Sequence, residues 1–131
     1  MLTICEKLVL GHLVGDYLLQ PKKMAIEKQN KGWSGLLWCL LHCLIYTLAI
    51  CLFTSTVEPL KIGLIFLSHF PIDRWSLAGK WLDFIKGRNF MTAYESRSRY
   101  HEIDLAFSAI VYTIVDNTGH ILLMLLIFYC W

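Results

Sequence analysis

The sequence predicts an all-α fold, a membrane-embedded bundle of four transmembrane helices plus an interfacial amphipathic helix, forming one domain over residues 1–131. Three observations predict it. Apolar residues fill 56 % of the 131 positions and charged residues only 17 %, against about 25 % charge in an ordinary soluble domain. Mean hydropathy is +0.53, more hydrocarbon than so small a globule hides from water. Four apolar stretches, at about 2–20, 34–57, 60–79 and 103–131, approach the roughly 20 residues that a spanning helix needs. This composition excludes disorder. A net charge of +2 is too weak to argue for a nucleic-acid partner.

The first stretch carries Glu6, Lys7 and Asp16 and lacks both a basic start and a small-residue cleavage site, so it reads as a helix of the mature protein and not as a secretory signal. The second is uninterrupted and fits a span. The third is short, contains Pro71, which should bend it, and reaches spanning length only with Ser76–Gly79 added. The fourth is longer than a span requires. Between the third and fourth, the segment at about 75–100 places Trp75, Leu77, Trp81, Leu82, Phe84 and Ile85 among Lys80, Asp83, Lys86 and Arg88, the pattern of an amphipathic helix in the headgroup layer or of a polar loop with aromatic anchors. The five cysteines (Cys5, Cys39, Cys43, Cys51, Cys130) are odd in number, lie in or beside apolar runs and form no CxxC. They read as packing residues.

The connections set an orientation. Residues 21–33 hold Lys22, Lys23, Lys28 and Lys31 against Glu27, and residues 74–102 hold six basic residues against three acidic ones, while residues 54–61 hold only Glu58 and Lys61. The two basic loops share a side in a four-helix topology. By the excess of Lys and Arg in cytoplasmic loops they face the cytoplasm of a cell (inner) membrane, with both termini outside.

The polar residues inside the apolar stretches carry the chemistry. His12/Asp16, His69/Asp73 and Asp116/His120 are three pairs at spacing four, and His42 lies in the second stretch. Chance placement gives about 0.4 pairs at this spacing, which puts both side chains on one helix face. An ionisable group at mid-bilayer costs on the order of 3 kcal/mol, so seven of them must pair, meet water or bind something. His and Asp together suit a divalent ion: zinc, or manganese or iron, as one or two ions. The expected ligands are His12, Asp16, His42, His69, Asp73, Asp116 and His120, and an aspartate left unbound (Asp16, Asp73 or Asp116) is a candidate catalytic base. Gln20 continues the face of His12 and Asp16, Tyr46 stands one turn from His42, and Arg74 follows Asp73. These three are candidate substrate contacts, or a helix cap, an interface aromatic and a topogenic arginine. Gly11, Gly15 and Gly119 are expected to let helices approach closely. The alternative for each His/Asp pair is a salt bridge neutralised within its own helix.

The run Gly11-His12-Leu13-Val14-Gly15-Asp16-Tyr17-Leu18-Leu19-Gln20 resembles the H-x-x-G-D-φ-φ-x-Q opening of a family of small bacterial and phage multi-pass membrane proteins of unknown function. Leu41-His42 to Tyr46, His69-Phe70-Pro71-Ile72-Asp73-Arg74 and the late Asp116 to His120 are similar to further elements of that family. The resemblance covers most of the chain and implies a fold more than an activity. The polar Asn117-Thr118-Gly119 stands where family members keep apolar residues, and is expected to loosen the last helix. A looser likeness is to membrane-bound metal-dependent hydrolases, whose helices also carry His and Asp.

Three functions compete. A metal-dependent hydrolase would act on a lipid or membrane-associated (phospho)ester. A divalent-cation or proton transporter would use the same cluster as a pathway and, with so few helices, would require a homo-oligomer. A non-catalytic membrane module would use the polar residues as interhelical glue.

Overall fold

A computed structural model describes all residues, 1–131, and is all-α with no strand. Helix α1 (Ile4–Leu13) opens on a capping box. The Thr3 hydroxyl accepts from Glu6 N, and the Glu6 carboxylate accepts from Thr3 N. Glu6, a blemish in a membrane span, is thus the partner of a helix cap. One turn of π-helix, Val14–Leu18, continues α1 and ends before Pro21. The short α2 (Lys22–Glu27) leads to α3 (Trp33–Thr54), then α4 (Pro59–Arg74), which starts on Pro59, where the missing N–H is harmless.

Helix α4 stops at Arg74 and does not run to Gly79. Ser76 takes a left-handed backbone (φ 46°) and separates α4 from α5 (Leu77–Lys86). The segment at 75–100 is correspondingly two short helices, α5 and α6 (Phe90–Glu95), divided by the left-handed Gly87. Helix α7 (His101–Cys130) is continuous. The expected loosening at Asn117-Thr118-Gly119 does not occur: α7 runs through these residues unbroken, with Asn117 Nδ2 and the Thr118 hydroxyl turned back onto the carbonyls of Thr113 and Ile114.

Two helices, α3 and α7, are long and apolar enough to cross a membrane. Helix α4 has 16 residues and α1 has 10, extended by the five-residue π turn, so both fall short of a full span and four spans are not established. The bundle buries polar groups beside its apolar core and exposes long apolar faces. Its buried side chains include His12, His42, His69, Asp73 and His120, while Leu37, Leu41, Leu44, Leu48 and Leu52 of α3 and Ile103, Phe107, Ile110, Ile114 and Leu122 of α7 are exposed.

The interior has two levels. Leu8, Tyr46, Ile50, Ile65, Met124 and Ile127 form an apolar core, and the imidazoles form a polar layer beside it. Chain direction alternates between these levels: α1 and α4 run toward the polar end, α3 and α7 away from it. The 21–33 and 75–100 connections therefore share one end of the bundle, and Arg74 ties them by donating to the carbonyls of Lys28 and Asn30. Helix α1 can lie against α3 because of its glycines. A Cβ on Gly15 would stand 2.9 Å from Tyr46 Cδ2 and 3.2 Å from Tyr46 Cα, and one on Gly11 3.2 Å from Ile50 Cα. Gly119 has no such role, since a Cβ there would meet nothing within 4 Å.

Candidate metal centre

Each helix of the bundle delivers its polar residues to the same layer. The last turn of α1 brings His12, the π turn brings Asp16, the middle of α3 brings His42, the end of α4 brings His69 and Asp73, and the middle of α7 brings Asp116 and His120. The π turn is a local widening of a kind often found at functional sites, and it holds Asp16 within reach of three histidines. The four imidazoles are at most 2 % exposed and Asp73 is 5 % exposed, so water does not solvate them.

His42 Nε2 and His69 Nε2 each lie close to both the Asp16 and the Asp73 carboxylates. His42 Nε2 lies 2.9 Å from Asp73 Oδ2, 3.0 Å from His69 Nε2 and 3.2 Å from Asp16 Oδ1. His69 Nε2 lies 3.2 Å from Asp73 Oδ2 and 3.7 Å from Asp16 Oδ1. Zinc bonds of 2.0–2.2 Å require ligand atoms about 3.3 Å apart on a tetrahedron, and these edges bracket that spacing. The groups Asp16/His42/His69 and His69/Asp73/His120 can each hold a metal ion.

Proton counting leads to the same place. A neutral imidazole has one N–H and one lone pair. His69 faces imidazole nitrogen at both ends, His42 Nε2 at 3.0 Å and His120 Nδ1 at 3.1 Å, so it donates at one end only. The same nitrogens also face carboxylates, and Asp16 Oδ1, His42 Nδ1 and His120 Nε2 are buried without a hydrogen-bond partner. A cation among His42 Nε2, His69 Nε2 and the carboxylate oxygens would engage the lone pairs that face one another there. Charge agrees: three carboxylates stand against Lys28, the one permanent cation paired with them.

Lys28, at the end of α2, donates to Asp73 Oδ2 at 2.6 Å. Burial works against its charge, but the Asp73 carboxylate outweighs this and holds the ammonium pKa above its ordinary value. Lys28 takes one lone pair of Asp73 Oδ2, so Asp73 can still serve as a ligand, and Asp16, His42 and His69 are the donor group outside that ion pair. Catalytic zinc sites have three protein ligands and an open position, and structural sites have four.

The remaining expected residues surround this point. His12 meets the other oxygen of Asp16 (Nδ1 to Oδ2, 3.3 Å), while its Nε2 contacts Asn117 Oδ1. Tyr46 stacks on His69 at 3.6 Å, and its hydroxyl donates to Met124 Sδ. Asp116 Oδ2 is 3.8 Å from His120 Nε2. Together with Asp16, Asp73, Gln20 and Lys28, Asp116 lines a polar cavity of about 240 Å³. Arg74 is spent on backbone carbonyls outside the cluster.

Two participants were not among the expected site residues. Lys28 looks in sequence like any lysine of a basic loop, and only the fold shows it folding back onto Asp73. Asn117 supplies the amide oxygen that fixes the His12 ring, and the polar break in the last apolar stretch was its signal.

A family model described as protein of unknown function (DUF3307) matches residues 4–131, so the chain belongs to that family. No curated protein and no solved structure matches the chain.

Proposed function

We propose that this family member is a single-domain, membrane-embedded, metal-dependent hydrolase acting on a lipid or membrane-associated (phospho)ester. Its divalent ion is zinc, held by Asp16, His42 and His69. The observation that carries the reading is the set of N and O edges of 2.9 to 3.7 Å among His42, His69, Asp16 and Asp73, next to a polar cavity. The lengths of α3 and α7 and their exposed apolar side chains support a membrane location, and the charge of the connections argues for a cell (inner) membrane with the two basic connections cytoplasmic and both termini outside.

When bound, the ion polarises a phosphoryl or acyl oxygen and lowers the pKa of its water to about 7. Asp116, on the cavity wall and outside the donor set, is the base that takes a proton from the attacking water and returns it to the departing alcohol. Gln20, whose Nε2 is buried without a partner, donates to a substrate oxygen. His12 holds Asp16 in place, and Tyr46 packs His69 from its face. His120 and Asp73 flank His69 and make room for a second ion.

Metal analysis of the detergent-purified protein is the test. Stoichiometric zinc, lost in His69→Ala and kept in His101→Ala, is expected, with turnover of a lipid (phospho)ester lost in Asp116→Asn while metal is retained. Metal without turnover but with ion flux in liposomes would establish the transport reading instead. Absence of any bound metal would leave a non-catalytic module.

A further inference from the structure

We propose that the substrate is a glycerophospholipid, one of whose acyl chains lies in an apolar groove between α4, α5 and α7 while its phosphoester headgroup enters the polar cavity. This rests on the hydrolase reading above and names the substrate class for that site. The groove has a volume of about 440 Å³, and Ile72, Leu77, Trp81, Ile114 and Leu122 line it. A cavity of about 150 Å³ holds benzene, so this one accommodates on the order of a dozen acyl carbons.

The occupant follows from how the two cavities join. Asp116 belongs to both walls. On α7 the polar cavity uses Tyr112, Thr113 and Asp116, and the groove extends from Ile114 to Leu122. At a rise of about 1.5 Å per residue, the α7 wall of the groove reaches about 9 Å past Asp116, while Ile72, Leu77 and Trp81 form the facing wall beside the basic connection. Past Asp116 the α7 wall carries Thr118, Gly119 and Leu122 and no further charge, so a headgroup at Asp116 leaves its acyl chain along the groove. At the polar end, Gln20 Nε2 is buried with no hydrogen-bond partner, a donor for a headgroup oxygen, and Lys28 supplies positive charge beside it. Gly119 is a wall residue facing open space, since an added Cβ there would meet nothing within 4 Å.

Full-length protein in phosphatidylglycerol vesicles containing a diazirine-acyl phosphatidylglycerol tests this by photolabelling and peptide mapping. Adducts are expected at Leu77, Trp81 and Leu122, and excess unlabelled phosphatidylglycerol should suppress them. Lipid around the outside of the bundle should label Leu41 and Leu48 of α3 without saturating. Gly119→Leu fills the groove and should cut groove labelling at least fivefold while leaving α3 labelling and zinc content unchanged. Gly119→Ala, which adds one methyl to open space, should retain labelling. The wild-type map decides even if Gly119→Leu fails to fold: groove adducts no denser than those on α3, or not saturable, overturn the proposal. Saturable groove labelling in a protein without zinc would refute the hydrolase chemistry while leaving the chain-binding groove in place.

Discussion

Replacing Lys28 by methionine should tighten zinc binding and weaken the metal-free protein. The Lys28 ammonium stands 2.6 Å from Asp73 Oδ2, an oxygen that is itself 2.9 Å from His42 Nε2. An ammonium about 5 Å from a divalent ion is repelled by roughly 6 kcal/mol at an effective dielectric constant of 20. Lys28 is 11 % exposed at its side chain, and a flexible side chain can swing outward, so about a third of this repulsion should persist. That is about 2 kcal/mol, or some thirtyfold in Kd. The same change strips a buried carboxylate of its partner, which destabilises the apo protein by about 3 kcal/mol. The raised pKa of Lys28 sets the pH window. The stabilisation from this pair is complete below the ordinary lysine value of 10.5 and fades only as pH rises through the higher folded value. Neutral-pH measurements therefore see the full effect. Competition titration against a chelator gives Kd, and thermal unfolding with and without zinc gives the two stabilities. Turnover should fall, because a freed Asp73 closes the fourth coordination direction. Unchanged Kd together with unchanged apo stability would refute the idea that Lys28 competes for Asp73.

Three other outcomes are expected. Gly15→Val places side-chain atoms on Tyr46, since even a Cβ lies 2.9 Å from Tyr46 Cδ2; it should destabilise the bundle by about 1–3 kcal/mol and release bound zinc, as read by thermal unfolding and metal analysis. Asn117→Ala removes the oxygen that meets His12 Nε2, and as a change one step removed from the ligands it should weaken zinc binding about tenfold with little loss of helix content by circular dichroism. In a cysteine-free background, single cysteines at Lys31 and Arg97 should react with a membrane-impermeant maleimide only after the cytoplasmic face is opened, and a cysteine at Glu58 should react in intact cells.

Much of the site was legible because its signal is local. Spacing four on a helix fixes which side chains share a face, and an ionisable group in an apolar run needs a partner wherever the helix ends up. His12/Asp16, His69/Asp73 and Asp116/His120 therefore point inward whether the helix spans a membrane or falls short of it. Helix extent was less legible. The break at Ser76 depends on a left-handed backbone that nothing in Arg74-Trp75-Ser76-Leu77 demands, and hydropathy alone let the third stretch run on to Gly79. The end of the first stretch was hidden in the same way, by a π turn whose residues, Val14 to Leu18, are as apolar around Asp16 as those of the α-helix before it.

What sequence pattern could not rank was the division of labour among seven ligand-type residues. Ranking requires knowing which nitrogen of each ring faces which oxygen, a property of helix rotation set by long-range packing. Gly15 against Tyr46 sets the rotation of α1 and gives His42 and His69 the same Asp16 oxygen, while His12 takes the other one. Lys28, 45 residues away from Asp73 in the chain, donates to the Asp73 oxygen that also faces His42 and His69. On the reading proposed above, two long-range contacts turn a cluster that composition describes as a generic metal sink into a three-ligand site beside a cavity lined by Asp16 and Asp73. On that reading the asymmetry separates a centre able to do chemistry from one that only braces helices, and the coordination number of bound metal tests it: three protein ligands and a water are expected in the native chain, four protein ligands in Lys28→Met.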